Sequence, residues 1–245
     1  MSFYVAGTTP ALNHTRSALL EAGITVTDSP RWNTDHLLLD VPSFRPGSAI
    51  HIDTLLCTLP QEITIWGGNL HHPALEGYRC IDLLKDEGYL LENASITADC
   101  AITLIEPLLK ENWSQTRCLV IGWGRIGKFL SEKLSNLSCH VTVATRKDPY
   151  RIQLKGLGYR AVDMKQMKEI LTEFDLIINT APADILSNND LSGCEACLKV
   201  DLASRKGISS DDVIWARGLP GIHAPERSGR LIANTILRIL KEGEK

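Results

Sequence analysis

The sequence predicts an α/β fold: a doubly wound parallel sheet preceded by a smaller α/β domain. Three observations carry this expectation. Short apolar runs alternate with helically spaced segments along the whole chain, the pattern of strands and covering helices. One of those runs, Cys118 to Ile121, leads straight into three closely spaced glycines and then into a helical period. A long apolar-faced segment, 94–110, separates the first part of the chain from the second.

Phe3 to Ala6 reads as the first strand. Pro10 to Glu21 follows as a helix carrying Leu12, Ala18, Leu19 and Leu20, stopped by Gly23. Ile24 to Thr27 and Leu37 to Val41 are further strands, punctuated by Pro30 and Pro42. Ile52 to Leu59 reads as a short helix, and Glu62 to Trp66 as a strand running into Gly67-Gly68. Ligands dock beyond the carboxyl ends of strands in open α/β sheets, so Gly67, Gly68, Asn69, His71 and His72 are candidates for a substrate-facing edge. A plain glycine turn followed by exposed histidines is the alternative.

Tyr89 to Glu92 reads as one more strand. Ala94 to Lys110 is then a helix with Ile96, Ala98, Ala101, Ile102, Leu104, Ile105, Leu108 and Leu109 on a wide apolar face, and Asn93 or Ser95 could cap it. This reads as a bridge, residues 93–112, between a small substrate-side domain at 1–92 and a second domain at 113–245 whose last helix packs back toward the first. A cleft is expected beside the N-terminus of the bridging helix, which makes Asn93, Ser95 and Thr97 candidate ligand contacts.

Cys118 to Ile121 is a buried parallel strand by length and composition. Gly122, Gly124 and Gly127 follow at G-x-G-x-x-G spacing, and Ile126, Phe129, Leu130, Leu134 and Leu137 mark the helix after them. Gly122 makes the tight turn, Gly124 admits a pyrophosphate, and Gly127 lets helix and strand approach. The amides at the helix start, around Arg125, Ile126 and Gly127, face the phosphates with the positive end of the helix dipole. A second strand, His140 to Thr145, completes the βαβ unit expected of a Rossmann domain.

The end of that second strand separates the two coenzymes. An NAD site places Asp or Glu there for the ribose 2′-OH; here the sequence is Ala144-Thr145-Arg146-Lys147, with no carboxylate before Asp148. A hydroxyl followed by two cations suits a 2′-phosphate, so NADP is expected over NAD. A solvated loop is the plainer reading of Arg146 and Lys147.

Pro149 to Leu157 reads as a helix, Arg160 to Val162 as a strand and Lys165 to Thr172 as a helix. Phe174 to Asn179 is a buried strand delivering Asn179, Thr180, Ala181 and Pro182 to the ribose and pyrophosphate. Cys197 to Leu202 delivers Asp201, Leu202 and Ala203 on the cofactor side and Arg205 beyond. Val213 to Ala216 delivers Arg217, and Pro225 to Lys241 closes the chain as an apolar-faced helix.

A net charge of −3 with 44% hydrophobic residues gives no basic surface for nucleic acid. No run is long enough to span a bilayer, and Met1 to Gly7 lacks the charged and apolar regions of a signal peptide. Seven scattered cysteines fit reduced thiols, so a cytoplasmic protein is expected. Cys194-Glu-Ala-Cys197 has no second C-x-x-C and no nearby His to complete a metal site, so no metal is expected. The apolar helices at 94–110 and 225–241 leave room for a homo-oligomer face.

Asp201-Leu-Ala-Ser-Arg205, Gly218-Leu-Pro-Gly-Ile-His-Ala-Pro225, Gly229 and Leu231-Ile-Ala-Asn234 together resemble the family of A-type dipicolinate synthase subunits. Val120 to Gly127, Ile178-Asn-Thr180 and Glu92-Asn-Ala-Ser95 match the same pattern, so the resemblance runs from about Glu62 to the C-terminus. It implies a two-domain fold like the D-2-hydroxyacid dehydrogenases. It also implies NADP-linked oxidation of dihydrodipicolinate to dipicolinate in sporulating bacteria, with the flavoprotein-like B-type dipicolinate synthase subunit as partner. The N-terminal domain is shorter than is usual in that family, and Val5-Ala6-Gly7-Thr8-Thr9 stands where a glycine-rich start followed by Asp-x-Arg is usual.

A small dicarboxylate calls for cations, and Arg205 is the expected anchor with Arg217 second. His223 is the candidate proton acceptor, because a neutral imidazole titrates near working pH. Asp201 could orient the nicotinamide amide or cap a turn. A dehydrogenase for another small carboxylic acid, or a non-catalytic NADP-binding protein, would share these features.

Overall fold

The structure, a computed structural model, describes residues 1–44 and 50–243. It divides into two compact units, Met1–Asn93 with Pro220–Lys245, and Ala94–Leu219.

The first unit is built from β1 (Ser2–Val5), α1 (Pro10–Glu21), β2 (Thr25–Thr27), β3 (His36–Leu38), α2 (Ile52–Leu56), β4 (Thr64–Gly67) and β5 (Arg79–Asp82). Its sheet is wholly parallel, in the order β2-β1-β3-β4-β5. Leu37, Leu39, Ile52, Leu56, Ile63 and Ile65 fill one core cluster. The half-exposed Arg-Cys-Ile-Asp of β5 gives no apolar signal, which is why the sequence does not announce that edge strand.

Phe3, His36 and Trp66 form an aromatic cluster in this unit, with the Phe3 and His36 rings stacked at 4.5 Å. Trp66 Nε1 donates to His36 Nδ1 at 3.2 Å, so the imidazole serves as an acceptor and is needed neutral. Burial pushes its pKa below the ordinary 6.5, against the pull of neighbouring Asp35. Because the unfolded chain takes up this proton more readily, the stability contributed by His36 is complete above pH 6.5 and is lost as pH falls through the folded value. Denaturant melts of wild type and His36→Gln should therefore converge on acidification below pH 6.5, and a constant gap would contradict this.

Tyr89 to Glu92 corrects the sequence reading. It is not a strand but lies within α3 (Glu87–Ile105), a continuous helix. Asp86 starts it: its Oδ1 accepts from Tyr89 N at 2.7 Å and its carbonyl from Leu90 N at 3.0 Å. Asn93 and Ser95, expected at a cap, sit inside the helix as a result. The α-helix ends at Ile105, before Pro107.

The second unit carries β6 (Arg117–Ile121), α4 (Arg125–Asn136), β7 (His140–Thr145), α5 (Asp148–Gly156), β8 (Arg160–Asp163), β9 (Leu176–Asn179), β10 (Leu186–Ser187), β11 (Leu198–Asp201), β12 (Ile208–Ser209) and β13 (Ile214–Trp215). Six of these strands form a parallel sheet ordered β13-β11-β9-β6-β7-β8, a doubly wound Rossmann arrangement that switches direction between β6 and β9. β10 and β12 pair separately. The segment expected as a helix at Lys165 to Thr172 is a 3₁₀ stretch at Met167–Glu173.

The chain closes with α6 (Leu219–His223) and α7 (Pro225–Gly243), and α7 lies on α1. Gly229 permits that crossing, since a Cβ there would collide with the Ala11 carbonyl and come within 2.6 Å of His14 Cβ. Thr15 Oγ1 stitches it, reaching Ala11 O at 3.0 Å and Gly229 O at 3.1 Å.

Lys199 is a charge in the interior of the second unit. Its side chain is 2% exposed, donating to Asp212 Oδ2 at 2.6 Å and Cys197 O at 3.0 Å, whereas Asp212 is 52% exposed. The asymmetry makes the two partners unequal. Asp212→Ala strands a buried ammonium and should cost about 3 kcal/mol in denaturant melts, whereas Lys199→Met leaves only a solvated carboxylate and should cost under ~1 kcal/mol. Equal losses would show that the pair behaves as a surface bridge.

No described helix is long and apolar enough to cross a membrane. Among the described residues no group of three or more His, Cys, Asp or Glu is placed to hold a metal. Cys194 and Cys197 are buried free thiols, and burial raises both pKa values, that of Cys197 to about 12. Protonated thiols of this kind are poor ligands and poor nucleophiles.

Candidate functional site

The carboxyl edge of the second unit's sheet is organised by the last residues of two paired strands. Asn179 and Asp201 lie side by side in the β9–β11 register, both fully buried, and Asn179 Nδ2 donates to Asp201 Oδ1 at 3.0 Å. Asn179 also folds the next turn back on itself, giving its Nδ2 hydrogen to Ala181 O and accepting from Ala181 N, each at 3.0 Å. Thr180, Ala181 and the exposed Pro182 are held by that turn.

Asp201 has its capacity filled by the protein. Oδ1 also accepts from Ala203 N at 3.0 Å, and Oδ2 accepts from Gly207 N at 2.6 Å and Ile208 N at 2.9 Å. The turn-capping alternative is therefore what the geometry supports, and nothing of this carboxylate remains for a nicotinamide amide. Leu202 and Ala203 are buried behind it. Trp215 holds the same loop from the other side through Nε1 to Ala203 O at 3.1 Å.

The three glycines show three separate physical demands. Gly122 has φ +105, in the region that penalises a side chain, and a Cβ there would meet Thr180 Oγ1 at 2.6 Å. A Cβ on Gly127 would run into the Gly122 carbonyl, so α4 sits directly against the turn. A Cβ on Gly124 would meet no protein atom within 4 Å. The N-cap residue of α4, Gly124, has no side chain to offer the first turn, which carries Arg125, Ile126 and Gly127. An approachable backbone at such a helix start is what a pyrophosphate requires. The residues fit a dinucleotide.

At the end of β7, Thr145 is buried and Arg146 and Lys147 are exposed. Arg151 braces this loop, donating to Thr145 O at 2.9 Å and Arg146 O at 3.0 Å while paired with Asp148 at 3.0 Å and Asp163 at 2.7 Å. No motif points to Arg151 in the sequence. Lys147 Nζ stands 5.3 Å from the Tyr150 ring centre, and Lys128 Nζ from α4 stands 6.0 Å from the same ring. Among the described residues neither lysine has a carboxylate in ion-pair contact, and neither has Arg146. Under the loop, Trp123 packs with Val143 and Leu154, its buried Nε1 lacking a hydrogen-bond partner among the described residues.

The expected substrate-side residues are distributed as follows. Arg205 is exposed and paired with equally exposed Asp184 at 2.6 Å. Arg217 lies over the Trp215 ring at 5.2 Å, and His223 is exposed at the end of α6. In the first unit Gly68 is buried with both backbone groups engaged by Ser43: its N–H donates to Ser43 Oγ at 3.1 Å and its carbonyl accepts from Ser43 N at 2.8 Å. Asp82 fixes the rest of that turn, accepting from Asn69 N at 3.1 Å and Leu70 N at 3.4 Å. His72 caps the next turn through Nδ1 to Ala74 N at 3.2 Å, while His71 is exposed. Asn93, Ser95 and Thr97 lie along the middle of α3, with Asn93 and Ser95 half-buried and Thr97 buried.

Known proteins resemble this chain in sequence and in fold. The family model for shikimate/quinate 5-dehydrogenase matches residues 104–211. The A-type dipicolinate synthase subunit from Bacillus subtilis is 31% identical over 173 residues, 67% of this chain and 58% of that protein. An NADP(+) shikimate dehydrogenase from Staphylococcus aureus is 27% identical over 51% of this chain and 45% of its own. The matches thus span only about half the length of these relatives. The crystal structure of the A-type dipicolinate synthase subunit from Bacillus halodurans superposes with a TM-score of 0.82 at 20% identity, covering 98% of this chain and 97% of that one.

Proposed function

The chain is a homologue of the A-type dipicolinate synthase subunits, and from that premise we propose that it is an NADP-dependent oxidoreductase converting dihydrodipicolinate to dipicolinate in the cytoplasm of a sporulating cell. The observation that carries this reading is the end of β7, where Arg146 and Lys147 have no acidic partner among the described residues, beside a glycine helix whose N-cap residue, Gly124, offers no side chain. The relative from Staphylococcus aureus, named for NADP(+), supports the same coenzyme.

When bound, the nicotinamide supplies the hydride acceptor. The substrate loses a hydride and a proton as its ring becomes aromatic, so the chain's own work is to hold two carboxylates and take one proton. Arg205 and Arg217 are assigned to the carboxylates. The Arg205–Asp184 pair is solvent-exposed and worth under ~1 kcal/mol, so a substrate carboxylate can displace Asp184. His223 is assigned to the proton at an imidazole nitrogen. The flavoprotein-like B-type dipicolinate synthase subunit is the proposed partner.

The test is dihydrodipicolinate turnover by the purified chain with NADP+, followed as NADPH formation with and without a homologue of that flavoprotein-like partner. NADPH formation supports the assignment, and its absence under both conditions counts against it. A second reading, a dehydrogenase for another small carboxylic acid, is favoured by the first strand's exit. There Asp40 accepts from Thr9 N at 3.3 Å and Thr9 Oγ1 at 2.7 Å, where the family usually carries Asp-x-Arg. A panel of 2-hydroxy, 2-keto and imino acids separates the two.

A further inference from the structure

We propose that Lys128 and Tyr150 form part of the coenzyme's 2′-phosphate site, with Lys128 as a third specificity-determining cation reaching it from the glycine helix. The inference deepens the NADP reading above and rests on it.

Lys128 is the residue after the last glycine of the motif, exposed on the first turn of α4, and neither motif nor spacing gives it a role. The structure does. Its ammonium rests over the Tyr150 ring at 6.0 Å, and the Lys147 ammonium rests over the same ring at 5.3 Å. The ring's negative face attracts both. One aromatic side chain at the start of α5 thus brings a cation from the phosphate-binding helix and a cation from the β7 loop to one place.

Two like charges gathered on one ring repel each other. Neighbouring cations have found carboxylates: Lys133, further along the same helix, holds Asp99 at 2.6 Å, and Arg151, next to Tyr150, holds Asp163 at 2.7 Å. Lys128, Lys147 and Arg146 have none among the described residues. A dianion relieves that repulsion, and a ribose 2′-phosphate carries close to two charges at neutral pH, whereas a ribose hydroxyl carries none. The position is also right in topology: the adenosine ribose in a doubly wound fold lies between the start of the glycine helix and the end of the second strand, here α4 and β7. Tyr150 sits half-buried against Val143 and Leu154, so its ring is a fixed platform rather than a mobile tip.

The test uses the full chain and two probes differing only in the 2′-phosphate, 2′,5′-ADP and 5′-AMP, with dissociation constants from calorimetry. Lys128→Met, an exposed change that leaves the packing intact, should weaken 2′,5′-ADP about tenfold and leave 5′-AMP unchanged. Tyr150→Phe should retain wild-type preference, because the ring persists. Tyr150→Leu should lose part of it, with 5′-AMP binding reporting that the fold is kept. Unchanged preference in Lys128→Met, or equal weakening of both probes, would overturn the role of Lys128 while leaving the NADP reading in place. A wild-type chain with no preference for 2′,5′-ADP would overturn that reading and this inference with it.

Discussion

Arg146→Asp is expected to weaken NADP+ about a hundredfold while leaving NAD+ binding equal or better. The substitution removes a guanidinium that can grip a phosphate through two parallel bonds and sets a carboxylate in its place. The new charge repels a 2′-phosphate but can accept from a ribose 2′-OH, the arrangement NAD-binding folds use. Arg146 is exposed and free of acidic partners among the described residues, so no structural contact is lost with it. The loop keeps its shape because Arg151 holds the Thr145 and Arg146 carbonyls rather than the Arg146 side chain. Calorimetric constants for both coenzymes decide the matter, and equal losses for the two would mean that the cations of this loop only face solvent.

The second large effect is on stability. Asp201→Ala removes one carboxylate and leaves Ala203 N, Gly207 N, Ile208 N and Asn179 Nδ2 without their shared acceptor. Buried donors left unpaired cost roughly 1–3 kcal/mol each, so the loss is expected to reach about 4 kcal/mol or more. Against a total stability of roughly 5–15 kcal/mol, that is a large share of what keeps the chain folded, and the melt should shift down accordingly. Asp201→Asn keeps one oxygen and presents an NH2 to other N–H groups, and should fall in between. Thermal melts without coenzyme separate this from a ligand role: a variant with an unchanged melt and weak coenzyme binding would show that Asp201 touches the nucleotide instead.

These two residues also mark how far the sequence can be read. The glycine turn is legible because its demands are backbone demands: Gly122 needs a positive φ and Gly127 needs no Cβ, and spacing alone records both. The six strands of the second unit's main sheet are legible along the chain because each is a short run with apolar residues at a recognisable interval, whereas β10 and β12, two residues each, carry no such signal. Asp201 is visible as a polar residue ending an apolar strand, but its bonds go to Gly207 and to Ile208 at the start of the two-residue strand β12, a stretch with no signature.

Tyr89 to Glu92 is misleading in the sequence because a short apolar run has no period of its own, and the deciding group, the Asp86 carboxylate, lies outside it. Lys128 is silent there because what singles it out is Tyr150, in another helix, not anything in its own stretch. Gly68 shows a further limit. A glycine after a strand marks a place where backbone comes close, and here the partner is Ser43 of the same unit.

The edge formed by the glycine turn and the β7 loop is proposed to bind NADP. A crystal structure of the chain grown with NADP+ tests it most directly. The pyrophosphate is expected against Gly124 and the first amides of α4, with the 2′-phosphate among Arg146, Lys147 and Lys128. Coenzyme bound elsewhere, or those amides and cations engaged by the protein's own side chains at saturating NADP+, would contradict it.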